Sequence, residues 1–336
     1  MTSKAGEKAA AIAGAKKPAK RPGVADEDLI GRKDLVSRIK LTLRPRIREL
    51  RFSLHLMAKS ATSIAGVILI VFLVILAMLP FLLAEPAPGA DPYVIPKDFL
   101  FPTPQPPQGI GGKFPLGTGE NAASTYYGII WGARISMAFA IQVVAIGVLM
   151  GTIIGLVSGY KGGVIDEIIM RVTDIFLSIP SLILVMAIAA VLGRGLGATK
   201  LALLAVWWSG YTRLIRGQVL SVRENTYIDA ARASGSGELK IMFRHILPNS
   251  WAPIVVAATM DMGTVVLVLA GLSYLGLGAP NGYAEWGVMI QEGQQFFVAG
   301  YWWMTVFPGL AILTFVLAFN LMGDGLRDVL DPKMRR

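Results

Sequence analysis

The sequence predicts an all-α, polytopic membrane protein with six transmembrane helices. Three observations carry that expectation. Hydrophobic residues make up 54% of the 336 positions and the mean hydropathy is +0.58, above the roughly 45–50% apolar content of soluble domains. The excess is gathered into runs of the length a bilayer demands, about 20 residues each. The charges segregate between these runs. Residues 1–59 hold fifteen Lys/Arg against six Asp/Glu, the 85–132 segment holds two against four, and the 274–300 loop has no Lys or Arg.

The apolar runs fall at 63–84, 134–158, 175–193, 199–217, 252–273 and 301–323. The fourth is the least regular, because Trp207, Trp208, Ser209 and Gly210 interrupt it and Arg213 and Arg216 close it. Gly147, Gly151 and Gly155 recur every fourth position in the second run, a small-residue face for close helix packing. Pro180 and Pro308 stand inside runs, where neighbouring helices can satisfy the freed backbone groups. Basic loops face the cytoplasm. Both termini and the 218–250 loop, with Arg223, Arg232, Lys240 and Arg244, are therefore expected inside, and the 85–132 and 274–300 loops outside.

The first 25 residues are rich in Ala, Lys, Gly and Pro and are expected to stay disordered. The basic stretch that follows, to Lys59, suits either a membrane-surface helix or a solvated tail. No cleavable signal peptide is expected, since the first apolar run starts some sixty residues in. The formal charge of +10 follows topology and does not call for nucleic acid. With no cysteine and only His55 and His245, disulfides and a His- or Cys-rich metal site are excluded as expectations. No Gly-x-x-x-x-Gly-Lys-Ser/Thr phosphate loop occurs, and the Gly193–Gly197 stretch reads as a turn between spans.

The polar stretch from Tyr227 to Ser250 stands out between two spans. Leu239, Met242, Phe243, Ile246 and Leu247 share one face at helical spacing. Ser236 is placed to cap that helix, Glu238 suits its first turn, and Pro248 ends it. Ile228 to Ala233 forms a shorter helix ahead, and Gly235 is the hinge between them. Such a helix can lie on lipid, pack on its own bundle or insert into a partner's groove. The periodicity leaves all three open.

The spacing of Asp229-Ala230-Ala231, Gly235 and Leu247-Pro248 resembles the EAA loop of ABC importer permeases. Asp229 stands where that family usually has Glu, and His245 where many members have Ile. The ending His245-Ile246-Leu247-Pro248-Asn249 is similar to the dipeptide/oligopeptide branch. So are Pro115-Leu116-Gly117-Thr118, Gly132-Ala133-Arg134-Ile135-Ser136, Gly159-Tyr160 with Asp166, Arg171 and Asp174, Gly271 to Gly278, Trp286-Gly287, and Ala318 to Asp328. The branch's Gly-Arg-Asp-containing segment is replaced here by Glu120 to Thr125.

The resemblance spans about residue 55 to the end. It implies the C-type subunit of a type I ABC importer permease in a prokaryotic cell membrane, with a cytoplasmic coupling helix. Its expected organisation is a basic tail over 1–60, a first span and extracytoplasmic loop over 61–132, a core over 133–323 with the coupling loop at about 222–250, and a tail over 324–336. The implied partners are a second, homologous permease forming a heterodimer, two ATP-binding subunits, an extracytoplasmic substrate-binding protein and membrane lipid. This chain is expected to bind no cofactor, with ATP and Mg on the partner subunits. The implied cargo is short peptides, with oligosaccharides or nickel complexes as the alternative within the family.

The dock implied by the resemblance consists of Asp229, Ala230, Ala231, Gly235, Glu238, Leu239, Met242, Phe243, Arg244, His245, Leu247 and Pro248. Asp261 is the one acid deep inside a predicted span. It either lines a translocation path with Gln142 and Ser209, or makes a structural hydrogen bond to Gln142, Ser209 or Asn320. Two rivals come from other classes. A secondary transporter would show paired broken helices with ion-binding acids, and a membrane enzyme would show clustered catalytic side chains.

Overall fold

A computed structural model describes Met57 and residues 60–330 of the chain. The rest of the tail expected over 1–60, and residues 331–336, lie outside the described residues. Among the described residues the regular structure is helical, with two isolated β-bridges, Val94–Tyr283 and Thr118–Ser124.

Helix α1 spans Ala61–Met78 and is capped by the Ser60 hydroxyl, which accepts the Ser63 N–H at 3.4 Å. A separate turn, Pro80–Leu83, completes the apolar run. The chain from 85 to 124 is then stitched onto the bundle by buried donors. The Trp131 indole donates to the Ala84 carbonyl at 2.9 Å, the Tyr127 hydroxyl to Pro92 at 2.7 Å, and the Trp303 indole to Thr118 at 3.0 Å. The atypical Glu120–Thr125 segment makes a tight turn here. Asn121 and Ala122 hold φ of 54° and 53°, and the Asn121 carbonyl accepts the Asp98 N–H at 2.7 Å.

Helix α2 spans Thr125–Lys161 and begins where Ser124 accepts the Tyr127 N–H. Its 37 residues reach about 55 Å at 1.5 Å per residue. It starts nine residues before the predicted run because Tyr127, Ile130 and Trp131 bury against the 85–124 segment.

The run predicted as one span over 175–193 is two helices. They are α3, Gly163–Ser178, and α4, Ser181–Leu192, meeting at 89°. Pro180 explains the break, since it offers no N–H and pushes the preceding residue out of the helical region. Ile179 accordingly sits at φ −99°, ψ 134°.

Helix α5 spans Leu196–Arg223 without interruption. Helices α6, Thr226–Ala233, and α7, Glu238–Ile241, lead to α8, Trp251–Tyr274. Helix α9, Trp286–Phe297, lies in the predicted 274–300 loop, where no helix was expected. It is capped by Glu285, a fully buried carboxylate that accepts the N–H groups of Gly287 and Val288 at 3.1 and 3.0 Å. Burial pushes this carboxyl above its usual range in spite of those bonds. Helix α10, Trp303–Leu330, carries Pro308 inside it and continues past the boundary expected at 323.

By length and apolarity α1, α2, α8 and α10 each suffice to cross a membrane, and α3–α4 makes a fifth span if the bent pair counts as one. Helix α5 takes the place of the remaining predicted span. It is long enough, but Lys200, Arg213 and the Trp207–Gly210 stretch reduce its apolarity.

The bundle is held by close approaches at small residues. A Cβ on Gly151 would stand 2.7 Å from the Trp208 carbonyl oxygen, and one on Gly155 2.6 Å from that of Thr212. The expected small-residue face of α2 is thus pressed directly onto the α5 backbone. Helix α8 packs on α10, and α10 on α1 and α9. Trp131, Trp286 and Phe315 fill the main core. A second core sits at the 226–250 end, formed by Leu156, Ile215, Val219, Ile228, Ile241, Met242, Ile246 and Ile254.

Candidate functional site

The 226–250 loop is a hairpin of short helices whose hinge is Gly235. Its φ of +76° is a left-handed conformation that glycine adopts without strain. The Gly235 N–H donates to the Arg232 carbonyl, and the Ser236 N–H to that of Ala231. With Ser236 drawn into this turn, the next helix starts one residue late. Its N-cap is Gly237, with no side-chain bond, and not the predicted Ser236.

The following helix is not a uniform α-helix. It runs as α7 to Ile241, as a π turn over Met242–Ile246, and as a 3₁₀ turn over Leu247–Asn249. Pro248 has no N–H to continue an α ladder, and the Leu247 N–H bonds instead to the Met242 carbonyl. The change of pitch divides the apolar face that uniform spacing predicts. Met242, at 3% exposure, and Ile246 turn inward with Ile228 and Ile241. Leu239 and Phe243 remain 70% and 51% exposed, and Leu247 is half-buried.

The polar residues of the loop divide as well. Asp229 pairs with Arg232 at 3.2 Å, and the Arg232 guanidinium lies 5.8 Å from the Tyr160 ring centre. Glu238, part of the dock that the resemblance implies, is joined to Lys161 at the end of α2 while staying largely exposed. Ala230, Arg244 and Pro248 are exposed, and Ala231 and His245 half-buried.

A group of ion pairs fastens this end of the bundle. Arg216 on α5 donates twice to Asp166 on α3, each bond at 2.6 Å, and the Ser158 hydroxyl donates to the same carboxylate. Arg213 pairs with Asp174. Arg223 donates to the Gly159 carbonyl at 2.8 Å, near the C-terminal end of α2. Spacing alone does not join these residues; the signal in the sequence is two arginines closing one apolar run and two aspartates preceding another.

The α3–α4 break borders an open cavity of about 450 Å³, and its Leu177, Ile179 and Pro180 are exposed. Phe176 and Pro180 line it from the break, Trp207, Ser209 and Tyr211 from α5, and Asp261 from α8. Asp261 accepts a hydrogen bond from the Trp207 indole at 3.1 Å. None of the three partners expected for it, Gln142, Ser209 or Asn320, makes that bond. The Ser209 hydroxyl donates to the Val206 carbonyl of its own helix. Gln142 does not line the cavity; it accepts from Lys200 at 2.6 Å on the bundle exterior. The structure thus brings two of the three path candidates together and leaves Gln142 apart.

The family described as binding-protein-dependent transport system inner membrane component matches residues 151–336. The dipeptide transport system permease protein DppC of Alkalihalophilus pseudofirmus is 42% identical over 68% of this chain and 75% of its own length. That of Haemophilus influenzae is 39% identical over 80% and 90%. A chain of the inward-facing MetNI methionine ABC transporter, in its CY5 native crystal form, superposes with a TM-score of 0.47 at 22% identity, over 60% of this chain and 98% of that one.

Proposed function

The chain belongs to the binding-protein-dependent transport system inner membrane component family, and from that premise we propose that it is the C-type permease subunit of an ATP-driven importer of short peptides. The observation that carries the coupling role is the divided face of the 226–250 loop. Met242 and Ile246 root the loop in the bundle, while Leu239, Phe243 and Arg244 stand free on a projecting rim. A loop made only to pack on its own helices would have no use for two large exposed apolar side chains beside charges. A groove on an ATP-binding subunit would bury them.

Energy enters through that contact. ATP and Mg belong to two partner ATPases, since this chain carries no phosphate loop. Their closure pulls on the loop, and the loop pulls on α2 through Lys161–Glu238 and on α5 through the core that Ile228, Ile241 and Ile246 share with Ile215 and Val219. Packed helices respond as rigid bodies. A second permease completes the path, and a substrate-binding protein delivers cargo on the side of the 85–124 segment. The excess of Lys and Arg supports a cytoplasmic side for both termini and the loop. The peptide cargo is supported by the relatives, two of which are named as dipeptide permeases.

The test is uptake of alanyl-alanine into proteoliposomes holding the full assembly and its binding protein. Uptake should require ATP and stop when the ATPases are omitted. Peptide uptake that persists without them would overturn the reading in favour of a secondary transporter.

A further inference from the structure

We propose that the cavity at the α3–α4 break is a subsite for the ammonium group of the transported peptide, with the Asp261 carboxylate as its counter-ion. This rests on the permease reading above and assigns the site a chemistry. At 1.5 Å per residue, Asp261 lies about 15 Å along α8 from Trp251, near the middle of the span. A charge at that depth is costly and calls for a partner. Trp207 supplies one neutral hydrogen bond at 3.1 Å, and the neutral Tyr211 hydroxyl lies beside the same carboxylate. Among the described residues no Lys, Arg or His forms an ion pair with Asp261. The counter-charge is free to come from cargo.

The C-terminal end of α3 and the N-terminal end of α4 both line the cavity, so their opposite dipole poles offset. One further feature gives the cavity the sign of Asp261. The rings of Phe176, Trp207 and Tyr211 form part of the wall, and aromatic faces attract cations. Carboxylate and ring faces together favour an ammonium and disfavour a carboxylate. Val206, Leu214 and Ala257 add apolar wall, and Ser181, Ser209 and Thr264 add neutral hydroxyls. Asp261 is the only charged side chain in the lining, so the subsite reads the one cation every free dipeptide carries.

The experiment measures alanyl-alanine delivered per ATP hydrolysed by the reconstituted assembly. Asn keeps an acceptor for the Trp207 indole but removes the charge. Asp261→Asn is expected to lower delivery per ATP at least fivefold, while Asp261→Glu keeps at least half of the wild-type value. A smaller loss in the Asn variant overturns the proposal. So does a Glu variant no better than Asn, because charge would then not be what is read. A proportional fall in uptake and hydrolysis also overturns it, since that marks a structural role. If the wild-type assembly delivers no peptide at all, the peptide-permease reading itself fails, a result distinct from any of these.

Discussion

Gly155 on α2 and Gly217 on α5 differ in what surrounds them. A Cβ at Gly155 would meet the Thr212 carbonyl oxygen at 2.6 Å and the Ile215 Cβ at 2.8 Å, whereas nothing lies within 4 Å of one at Gly217. Replacing a helical glycine by alanine gains about 1 kcal/mol of propensity, and overpacking a tight contact costs about 1–3 kcal/mol. At Gly155 the obstruction is backbone, which cannot swing aside, so the cost wins. Gly155→Ala is expected to lower the thermal unfolding midpoint of the purified chain, and Gly217→Ala to hold or raise it. Equal midpoints would show that the helices separate freely. The glycine face was legible from its four-residue period alone. The Asp261–Trp207 bond was not, because two helices distant in sequence must first dock. The Glu285 cap was also missed, since its cue is a single acid before a short amphipathic helix.

Among the elements, the α3–α4 pair departs most from its expected form. Apolarity across 175–193 is continuous, and hydropathy does not register one missing N–H at Pro180. The same limit applies to the 238–249 helix, where a uniform period placed five residues on one face and the π turn before Pro248 separated them. In both cases the proline was visible, and only its effect on neighbouring pitch was not. The chain has no cysteine, so spin labels can be placed on Val164→Cys and Val191→Cys without background. With the 89° bend their backbone sites lie about 28 Å apart, against about 40 Å on one straight helix, both at 1.5 Å per residue. Pro180→Ala is expected to lengthen the label distance by 5 Å or more, as the restored N–H re-forms the ladder. An unchanged distance would assign the bend to packing, including the Phe176–Trp208 edge contact at 5.3 Å.

For the whole molecule, the loop, the ion-paired end of the bundle and the cavity form one mechanical sequence. The loop grips α2 through Lys161–Glu238 and α5 through the shared core of Ile215, Val219, Ile228 and Ile241, Arg216–Asp166 ties α5 to α3, and α3 ends at the cavity wall. Motion imposed at the rim therefore has a continuous route to Asp261. The sequence carried the class of machine, through the Ala-Ala, Gly and Leu-Pro spacing and the segregated charges. It could not show that route, which depends on which arginine reaches which aspartate. The most direct test is co-purification of the ATP-binding subunits with this chain and its partner permease, using wild type and Leu239→Asp combined with Phe243→Asp. Both side chains are exposed, so the double variant should fold and still bind its partner permease. The account predicts that the ATPases accompany wild type and are lost from the variant. ATPases retained by the variant at wild-type stoichiometry would contradict it.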